Sequence, residues 1–216
     1  MDTFRDYSAK YPQAGLNEMV EVARRQRAKD EVLTPMIRAQ LLAGPVLDLG
    51  SGCGQVASIL RRDGVDVLGS DYFEFFVDYL RTAGVPAIRV DAFDILRYTE
   101  GKTFSTIISQ GVQPLAVDAE DGIDRCYRSV AAALAPGGRF VYTLPNAMGR
   151  QPGASTIAQH RKVLAAITEL RELRCLRNQV LPSRAYEVLP RIVSMGIERL
   201  LGRWLGQRFV LVLERQ

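Results

Sequence analysis

The sequence has few of the residues that hold metal ions or build disulfide frameworks. It contains one histidine, His160, and three cysteines, Cys53, Cys126 and Cys175, in 216 residues. The cysteines lie far apart and lack the short spacings of metal ligands, so we expect them to be reduced thiols. No acidic cluster with metal-ligand spacing is evident either, and the sequence predicts no metal site.

Long apolar runs are also missing. No segment approaches the roughly 20 apolar residues that a membrane-spanning helix needs, and Met1–Arg5 lacks the apolar core of a signal peptide. Together with reduced cysteines, these features predict a cytoplasmic protein. A chain of 216 residues without repeats or linkers predicts one domain with a large core.

Positive charge is concentrated in the C-terminal third. The net charge is +4, but residues 145–216 carry 12 Lys/Arg and 5 Asp/Glu, so residues 1–144 are net negative. A basic C-terminal third suits an anionic substrate or surface. A solvent-exposed, arginine-rich helical face is an equally good interpretation of the same pattern.

Short apolar runs alternate with helical patterns along the chain. The expected strands are Val46–Leu49, Val65–Ser70, Pro86–Val90, Thr103–Ser109, Arg139–Leu144, Cys175–Leu181 and Gln207–Leu213. Helices are expected at 16–42 with a break at Pro35, and at 56–63, 72–83, 118–134, 155–173 and 186–205. This alternation is typical of βαβ units, and it predicts a three-layer α/β domain with a mostly parallel sheet.

A glycine-rich turn follows the first expected strand. In Asp48-Leu49-Gly50-Ser51-Gly52-Cys53-Gly54, three glycines occupy alternate positions before a helix. Such a turn lets the backbone approach a ligand closely. A P-loop would need Gly-Lys-Ser/Thr, whereas Gln55 and Val56 follow the last glycine. A dinucleotide fingerprint would need its third glycine at position 55, so an oxidoreductase is a weak alternative.

This turn resembles the first motif of Rossmann-like, or class I, S-adenosylmethionine-dependent methyltransferases. The resemblance covers roughly residues 40–145 and continues in order with Asp71-Tyr72, Asp91-Ala92-Phe93, Ser109-Gln110-Gly111 and Leu134–Phe140. It implies S-adenosylmethionine as the cofactor and methyl transfer as the activity. It also implies a doubly wound, seven-stranded sheet in the order 3-2-1-4-5-7-6, with the last strand antiparallel.

The resemblance implies roles for the residues around adenosine. Asp71 would bond the ribose hydroxyls, and Tyr72 would pack on the adenine ring. Asp91 and the backbone N–H of Ala92 would read the adenine edge. Each carboxylate comes at the end of an expected strand, so a helix N-cap is the alternative role for Asp71 and Asp91.

The remaining cofactor contacts lie in the glycine turn and after strand four. Gly50, Gly52 and Gly54 would give the close approach, and Gln110 would lie beside the methionine portion. Asp48 would orient the turn or accept a hydrogen bond from the cofactor's ammonium group.

The acceptor leaves a weaker signal in the sequence. Ser109–Pro114 lacks the Asn/Asp-Pro-Pro-Tyr arrangement and the Pro-Cys nucleophile of relatives that methylate nucleic acids. Nucleic acid is therefore disfavoured, and we expect methylation on oxygen of a small molecule or sugar, possibly anionic, as in secondary metabolism. A nitrogen or carbon acceptor and a non-catalytic scaffold that binds the cofactor are the alternatives.

Two further residues are candidates near the acceptor. His160 is expected on the helix after strand five, where its ordinary pKa suits a general base; a solvent-facing position is the alternative. Tyr11 lies in the N-terminal arm, which closes over the cofactor in many relatives; packing against the sheet edge is its alternative.

The chain therefore divides into three expected regions. Residues 1–42 would form an N-terminal helical cap, residues 44–145 the cofactor-binding core, and residues 146–216 the acceptor-site helices and last two strands. The amphipathic segment Tyr186–Leu205 would be a lid, a dimer contact or a helix on a membrane surface. Monomer and homodimer are both open.

Overall fold

One seven-stranded sheet forms the centre of the molecule. A computed structural model describes residues 14–116, 119–144 and 155–216. The strands are β1 Val46–Leu49, β2 Val67–Asp71, β3 Ala87–Arg89, β4 Phe104–Gln110, β5 Leu134–Leu144, β6 Leu170–Asn178 and β7 Arg208–Arg215. Their order is β3-β2-β1-β4-β5-β7-β6, and only β7 runs antiparallel to its neighbours. The predicted order and direction are confirmed.

Nine helices lie within the described residues. They are α1 Ala14–Arg38, α2 Gln55–Arg62, α3 Glu74–Thr82, α4 Ile95–Tyr98, α5 Gln113–Ala116, α6 Glu120–Ala133, α7 Ile157–Leu164, α8 Ser183–Val188 and α9 Arg191–Leu205. The expected break at Pro35 is wrong, because this proline lies in the last turn of α1. Buried Leu33 and Ile37 flank it, and their packing holds the helix together where one backbone hydrogen bond is lost.

The region after α7 differs most from the prediction. The helix ends at Leu164 rather than Leu173, and β6 begins at Leu170 rather than Cys175. Pairing with β7 overrides the local helical pattern: Arg171 lies opposite Glu214, and the two side chains form an ion pair at 2.8 Å. The expected helix 186–205 is divided before Pro190, since a proline disfavours helical backbone in the residue before it.

Helices cover both faces of the sheet. On one face, α1, α2 and α3 enclose a core that includes Ile37, Leu60, Leu80, Val141 and Val210. On the other face, α6 and α7 enclose a core that includes Tyr127, Val130, Phe140, Val163 and Leu213. The molecule therefore has three layers, and the carboxyl ends of its parallel strands open along one edge.

Helix α9 turns its apolar side chains outward. Glu198 and Gly202 are buried on its inner side, and the Glu198 carboxylate accepts hydrogen bonds from the Tyr186 hydroxyl and the backbone N–H of Val180. Ile192 and Trp204 are 85% and 64% exposed. No described helix combines the length and apolar character needed to cross a membrane.

Candidate functional site

A cleft of about 590 Å³ lies at the carboxyl ends of the parallel strands. Its walls come from α1, the glycine turn after β1, the ends of β2, β4 and β5, the residues after β3, and the start of β7. Open α/β sheets bind their ligands at this edge. The cleft is therefore the candidate site.

The glycine turn has a backbone that only glycine adopts readily. Gly50, Gly52 and Gly54 have φ angles of +73°, +52° and +69°. A Cβ atom on Gly54 would come within 2.2 Å of the Leu80 side chain, so this glycine lets α2 pack on α3. A Cβ atom on Gly52 would meet no protein atom within 4 Å. Gly52 thus leaves open space in the wall of the cleft, where a ligand can approach the backbone.

Asp71 is held in place at the end of β2. One carboxylate oxygen accepts a hydrogen bond from the Gly52 N–H at 3.0 Å, and the other accepts one from the Phe73 N–H at 3.1 Å. The N-cap residue of α3 is Phe73, so Asp71 is not the cap. Burial raises the pKa of Asp71 to about 6, although the backbone hydrogen bonds oppose this shift. A carboxylate accepts roughly four hydrogen bonds, so Asp71 retains capacity to accept from ligand hydroxyls.

Asp48 lies beneath the glycine turn and lines the cleft. It is buried, and burial raises its pKa to about 7. Its backbone carbonyl accepts hydrogen bonds from the hydroxyls of Ser51 at 2.8 Å and Ser70 at 2.9 Å, which fix the turn against β2. A ligand ammonium group beside Asp48 would favour the ionised carboxylate.

The part of the cleft where the resemblance places adenine is mainly apolar. Tyr72, Phe76 and Ala92 line it, and the Arg89 guanidinium lies 5.2 Å from the centre of the Tyr72 ring. Asp91 does not line the cleft; its carboxylate accepts a hydrogen bond from the Phe93 N–H at 2.9 Å. Asp94 is the N-cap residue of α4, so Asp91 does not cap this helix.

Most of the predicted cofactor residues meet in this one cleft. Those that line it are Asp48, Gly50, Gly52, Asp71, Tyr72, Ala92 and Gln110. Gly54 and Asp91 lie behind the wall, where they support the turn and the loop after β3. Tyr11 lies outside the described residues.

His160 does not lie in the cleft. It is completely buried between α6, α7 and the end of α5. Its Nε2 donates to the Leu115 carbonyl at 3.1 Å, so Nδ1 is the nitrogen that accepts from the Tyr127 hydroxyl at 2.7 Å. Burial lowers the pKa of His160 to about 4. With no free ring nitrogen and no face on the cleft, His160 is a structural residue in this arrangement, and the general-base prediction is not supported.

The far end of the cleft contains polar side chains that the sequence patterns did not single out for the site. Lys29 and Asp30 come from α1, Thr143 from the end of β5, and Arg208 from the start of β7. The sequence contains one indication that Asp30 is buried. Ala23, Asp30 and Ile37 are spaced seven residues apart and share the buried side of α1. Arg208 belongs to the basic C-terminal third, but nothing in the sequence distinguishes it from the other arginines there. Thr143 carried no signal, since only the folded sheet brings it to the cleft.

Comparison with known proteins finds a family model that covers most of this site. A family model described as a methyltransferase domain matches residues 47–142, which include the glycine turn, Asp71 and Asp91. No curated protein matches the sequence.

Several solved structures share the whole fold. A TehB-like S-adenosylmethionine-dependent methyltransferase from Corynebacterium glutamicum is 20% identical, with a TM-score of 0.66 over 95% of this chain and 100% of that one. The CcbJ methyltransferase from Streptomyces caelestis is 17% identical, with a TM-score of 0.63 over 86% of this chain and 89% of its own. The glycopeptide N-methyltransferase MtfA is 13% identical, with a TM-score of 0.61 over 88% and 90%.

The cleft has the groups that this cofactor requires. Asp71 offers a fixed carboxylate to two hydroxyls, the apolar end accepts a purine ring, and the space beside Gly52 accepts a ligand against the backbone. Buried acids at Asp48 and Asp71 suit a cofactor that carries a sulfonium and an ammonium group. The match over residues 47–142 is to a methyltransferase domain, and the whole chain shares the Rossmann-like fold of solved S-adenosylmethionine-dependent methyltransferases.

Proposed function

We propose that this methyltransferase modifies an oxygen atom of a small-molecule or sugar acceptor. When bound, S-adenosylmethionine supplies an electrophilic methyl carbon for in-line displacement, so the protein has to align the acceptor and exclude water. The observation that carries the proposal is the buried carboxylate of Asp30 at the end of the cleft away from adenosine.

The topology supports an acceptor position beside α1 and β7. Adenosine would bind where β1 and β2 end, with its ribose at Asp71. Strands β5 and β7 lie on the opposite side of β4, and the start of antiparallel β7 adjoins the end of β5. The part of the cleft lined by Asp30, Thr143 and Arg208 is therefore left for the acceptor. Asp30 and Arg208 come from the two terminal regions expected to form the acceptor site, whereas Thr143 comes from the expected cofactor core.

Asp30 is placed to receive a proton from an acceptor hydroxyl. Only 4% of its surface is exposed, and burial raises its pKa, which makes it a stronger base than an exposed aspartate. The Lys29 ammonium, 3.7 Å from an Asp30 carboxylate oxygen, opposes that shift. A hydroxyl has to lose its proton during transfer, whereas a neutral amine attacks with its lone pair before losing one. A base in this position therefore favours oxygen.

The first prediction concerns turnover on an oxygen acceptor. Wild-type protein and D30N are supplied with cofactor carrying a labelled methyl group, together with panels of hydroxyl and amine acceptors. We expect label on hydroxyl acceptors and a loss of turnover in D30N of about a hundredfold or more, as for removal of a general base. Affinity for S-adenosylhomocysteine should stay within about twofold.

E21Q is the matched control, since Glu21 lies on the same helix and outside the cleft. Label on amines alone would show that nitrogen is the target, as in the N-methyltransferase relative, and would contradict the proposal. So would D30N with normal turnover. Cofactor binding without transfer to any acceptor would favour the scaffold alternative.

A further inference from the structure

Two cations and one anion lie together at the acceptor end of the cleft: Lys29 and Asp30 are buried, and Arg208 is half-buried. Lys29 is 3% exposed; its ammonium donates to the Gln26 side-chain oxygen at 2.8 Å and lies 3.7 Å from Asp30. Burial lowers the pKa of Lys29, and the nearby charge of Arg208 acts in the same direction. This ammonium is therefore paired only loosely with one carboxylate.

Arg208 has no partner of its own. Within residues 14–116, 119–144 and 155–216, its guanidinium makes no hydrogen bond and no ion pair within 4 Å. Burial lowers its pKa, while the more distant charge of Asp30 favours the protonated form. A single carboxylate faces two cations, so the cluster has an excess positive charge in a poorly solvated place. Such a charge is costly unless an anion completes it.

Thr143 adds an unsatisfied hydroxyl to the same region. It is 3% exposed and lines the cleft, and its Oγ1 has no hydrogen-bond partner. In the β5–β7 ladder Thr143 lies opposite Val210, so both side chains project from one face of the sheet. Arg208 is two residues before Val210 and projects from that face as well. The free donor and the free cation thus face the same side of the sheet, towards α1.

The two ends of the cleft differ in charge. The adenosine end has the buried carboxylates of Asp48 and Asp71, which suit a cationic cofactor. The other end has Lys29 and Arg208 with Asp30 alone to offset them. Buried polar groups without partners are uncommon in folded proteins. The unpaired Arg208 guanidinium and Thr143 hydroxyl therefore indicate that a ligand binds at this end.

We infer that the acceptor carries a carboxylate or phosphate group, which Arg208 and Lys29 bind by charge and Thr143 by a hydrogen bond from its hydroxyl. The inference rests on the proposed function, because it assigns a chemical class to the same acceptor. The guanidinium has parallel N–H donors that match a carboxylate or phosphate, so Arg208 is the main ligand. Asp30 partly neutralises Lys29, which makes Lys29 the weaker one. The anionic group positions the acceptor, and a separate hydroxyl receives the methyl group.

The test measures anion binding without turnover. Full-length protein saturated with S-adenosylhomocysteine is titrated with inorganic phosphate, and in a second series with acetate, against chloride at constant ionic strength. The midpoint of thermal unfolding reports binding. We expect a midpoint that rises with one or both anions in the wild type, and the stronger of the two identifies the group.

Three variants make the test specific. In R208Q the anion concentration for half-maximal stabilisation should rise about tenfold or more, the loss expected for a charge-assisted hydrogen bond. T143V removes only an unpaired hydroxyl, so it should fold like the wild type and weaken the anion several-fold. R199Q, at an exposed position of α9, should titrate like the wild type.

Two results would overturn the inference: no stabilisation of the wild type beyond that by chloride, or wild-type titrations in both R208Q and T143V. If R208Q fails to fold, T143V decides alone. The panel of hydroxyl and amine acceptors tests the proposed function separately. Methylation of neutral hydroxyl compounds only, with no anion effect, would overturn the anionic class and leave oxygen transfer standing. A specific anion effect without methylation of any hydroxyl acceptor would show that the oxygen proposal has failed.

Discussion

At the scale of single residues, two carboxylates in the cleft have pKa values raised by burial. Asp71 has a pKa of about 6 and Asp48 of about 7, against an ordinary value of 3.8. Both line the cleft that we assign to the positively charged cofactor. Their protonation therefore couples cofactor affinity to pH in the neutral range.

The pH dependence of binding follows from the direction of these shifts. Affinity for S-adenosylhomocysteine should fall as the pH decreases from about 8 to about 5, because both carboxylates take up protons and lose their attraction for the ligand's ammonium and hydroxyl groups. Calorimetry across this range measures the effect. D71N should bind more weakly and show a smaller pH dependence, whereas equal affinity at both ends of the range would contradict the assignment.

Deprotonation of the same carboxyls strengthens ligand binding but lowers the stability of the ligand-free protein. A carboxyl whose pKa is raised on folding contributes stability below its unfolded pKa, near 3.8, and this contribution is lost as the pH rises through about 6 for Asp71. D71N should therefore stabilise the ligand-free protein more at about pH 8 than at about pH 5. Urea unfolding of both proteins at the two pH values gives this comparison.

At the scale of elements, the buried hydrogen bonds of His160 connect three helices. Through Tyr127 it reaches α6, through Leu115 it reaches α5, and its own backbone belongs to α7. The depressed pKa keeps the imidazole neutral at physiological pH, which a buried ring between these helices requires. We propose Asp30 on α1 for the role that the sequence suggested for His160, a base at the acceptor.

The His160 variant separates a structural role from a catalytic one. H160A leaves the Tyr127 hydroxyl without a partner and removes one of the two donors to the Leu115 carbonyl, which also accepts from the Ser155 hydroxyl, so it should lower the free energy of unfolding by about 2 kcal/mol. Turnover per folded molecule should be unchanged. In the wild type, the stabilising contribution of His160 should be lost as the pH falls from about 6.5 to about 4, because the unfolded chain takes up the proton first.

A H160A protein as stable as the wild type would contradict the structural role. A fall in turnover without a fall in stability would return His160 to the mechanism. Urea unfolding and single-turnover transfer on the same preparation distinguish these outcomes.

Sequence patterns predicted well the elements whose own residues determine their secondary structure. Strand β1 is a buried apolar run that ends in the glycine turn, and its bounds, Val46–Leu49, agree with the prediction. Strand β6 lies at the sheet edge and mixes charged with apolar residues, so its pattern also fits a helix. Only its pairing with β7 makes this segment a strand rather than a helix. Helix α1 likewise continues through Pro35 because of tertiary packing, which a local rule does not see.

At the scale of the whole molecule, the cleft has one half encoded locally and one half assembled from distant segments. The glycine turn, Asp71 and Ala92 lie within one stretch of βαβ units, so the chain order alone predicts that they meet. Lys29, Thr143 and Arg208 come from three elements far apart in the sequence. These three residues come together only because of how α1 packs and where antiparallel β7 starts. The periodicity of the sequence predicts neither of these features. The sequence therefore predicts the methyl donor far better than the acceptor.

The most direct test of the account is calorimetric titration of the full chain with S-adenosylhomocysteine, comparing the wild type with D71A. The account predicts one site per chain in the wild type. It predicts affinity about a hundredfold weaker in D71A, since the variant loses a charged acceptor of two hydrogen bonds. Both proteins should have the same far-ultraviolet circular dichroism. A wild type that does not bind, or a folded D71A that binds as tightly as the wild type, would contradict the assignment of this cleft to the cofactor.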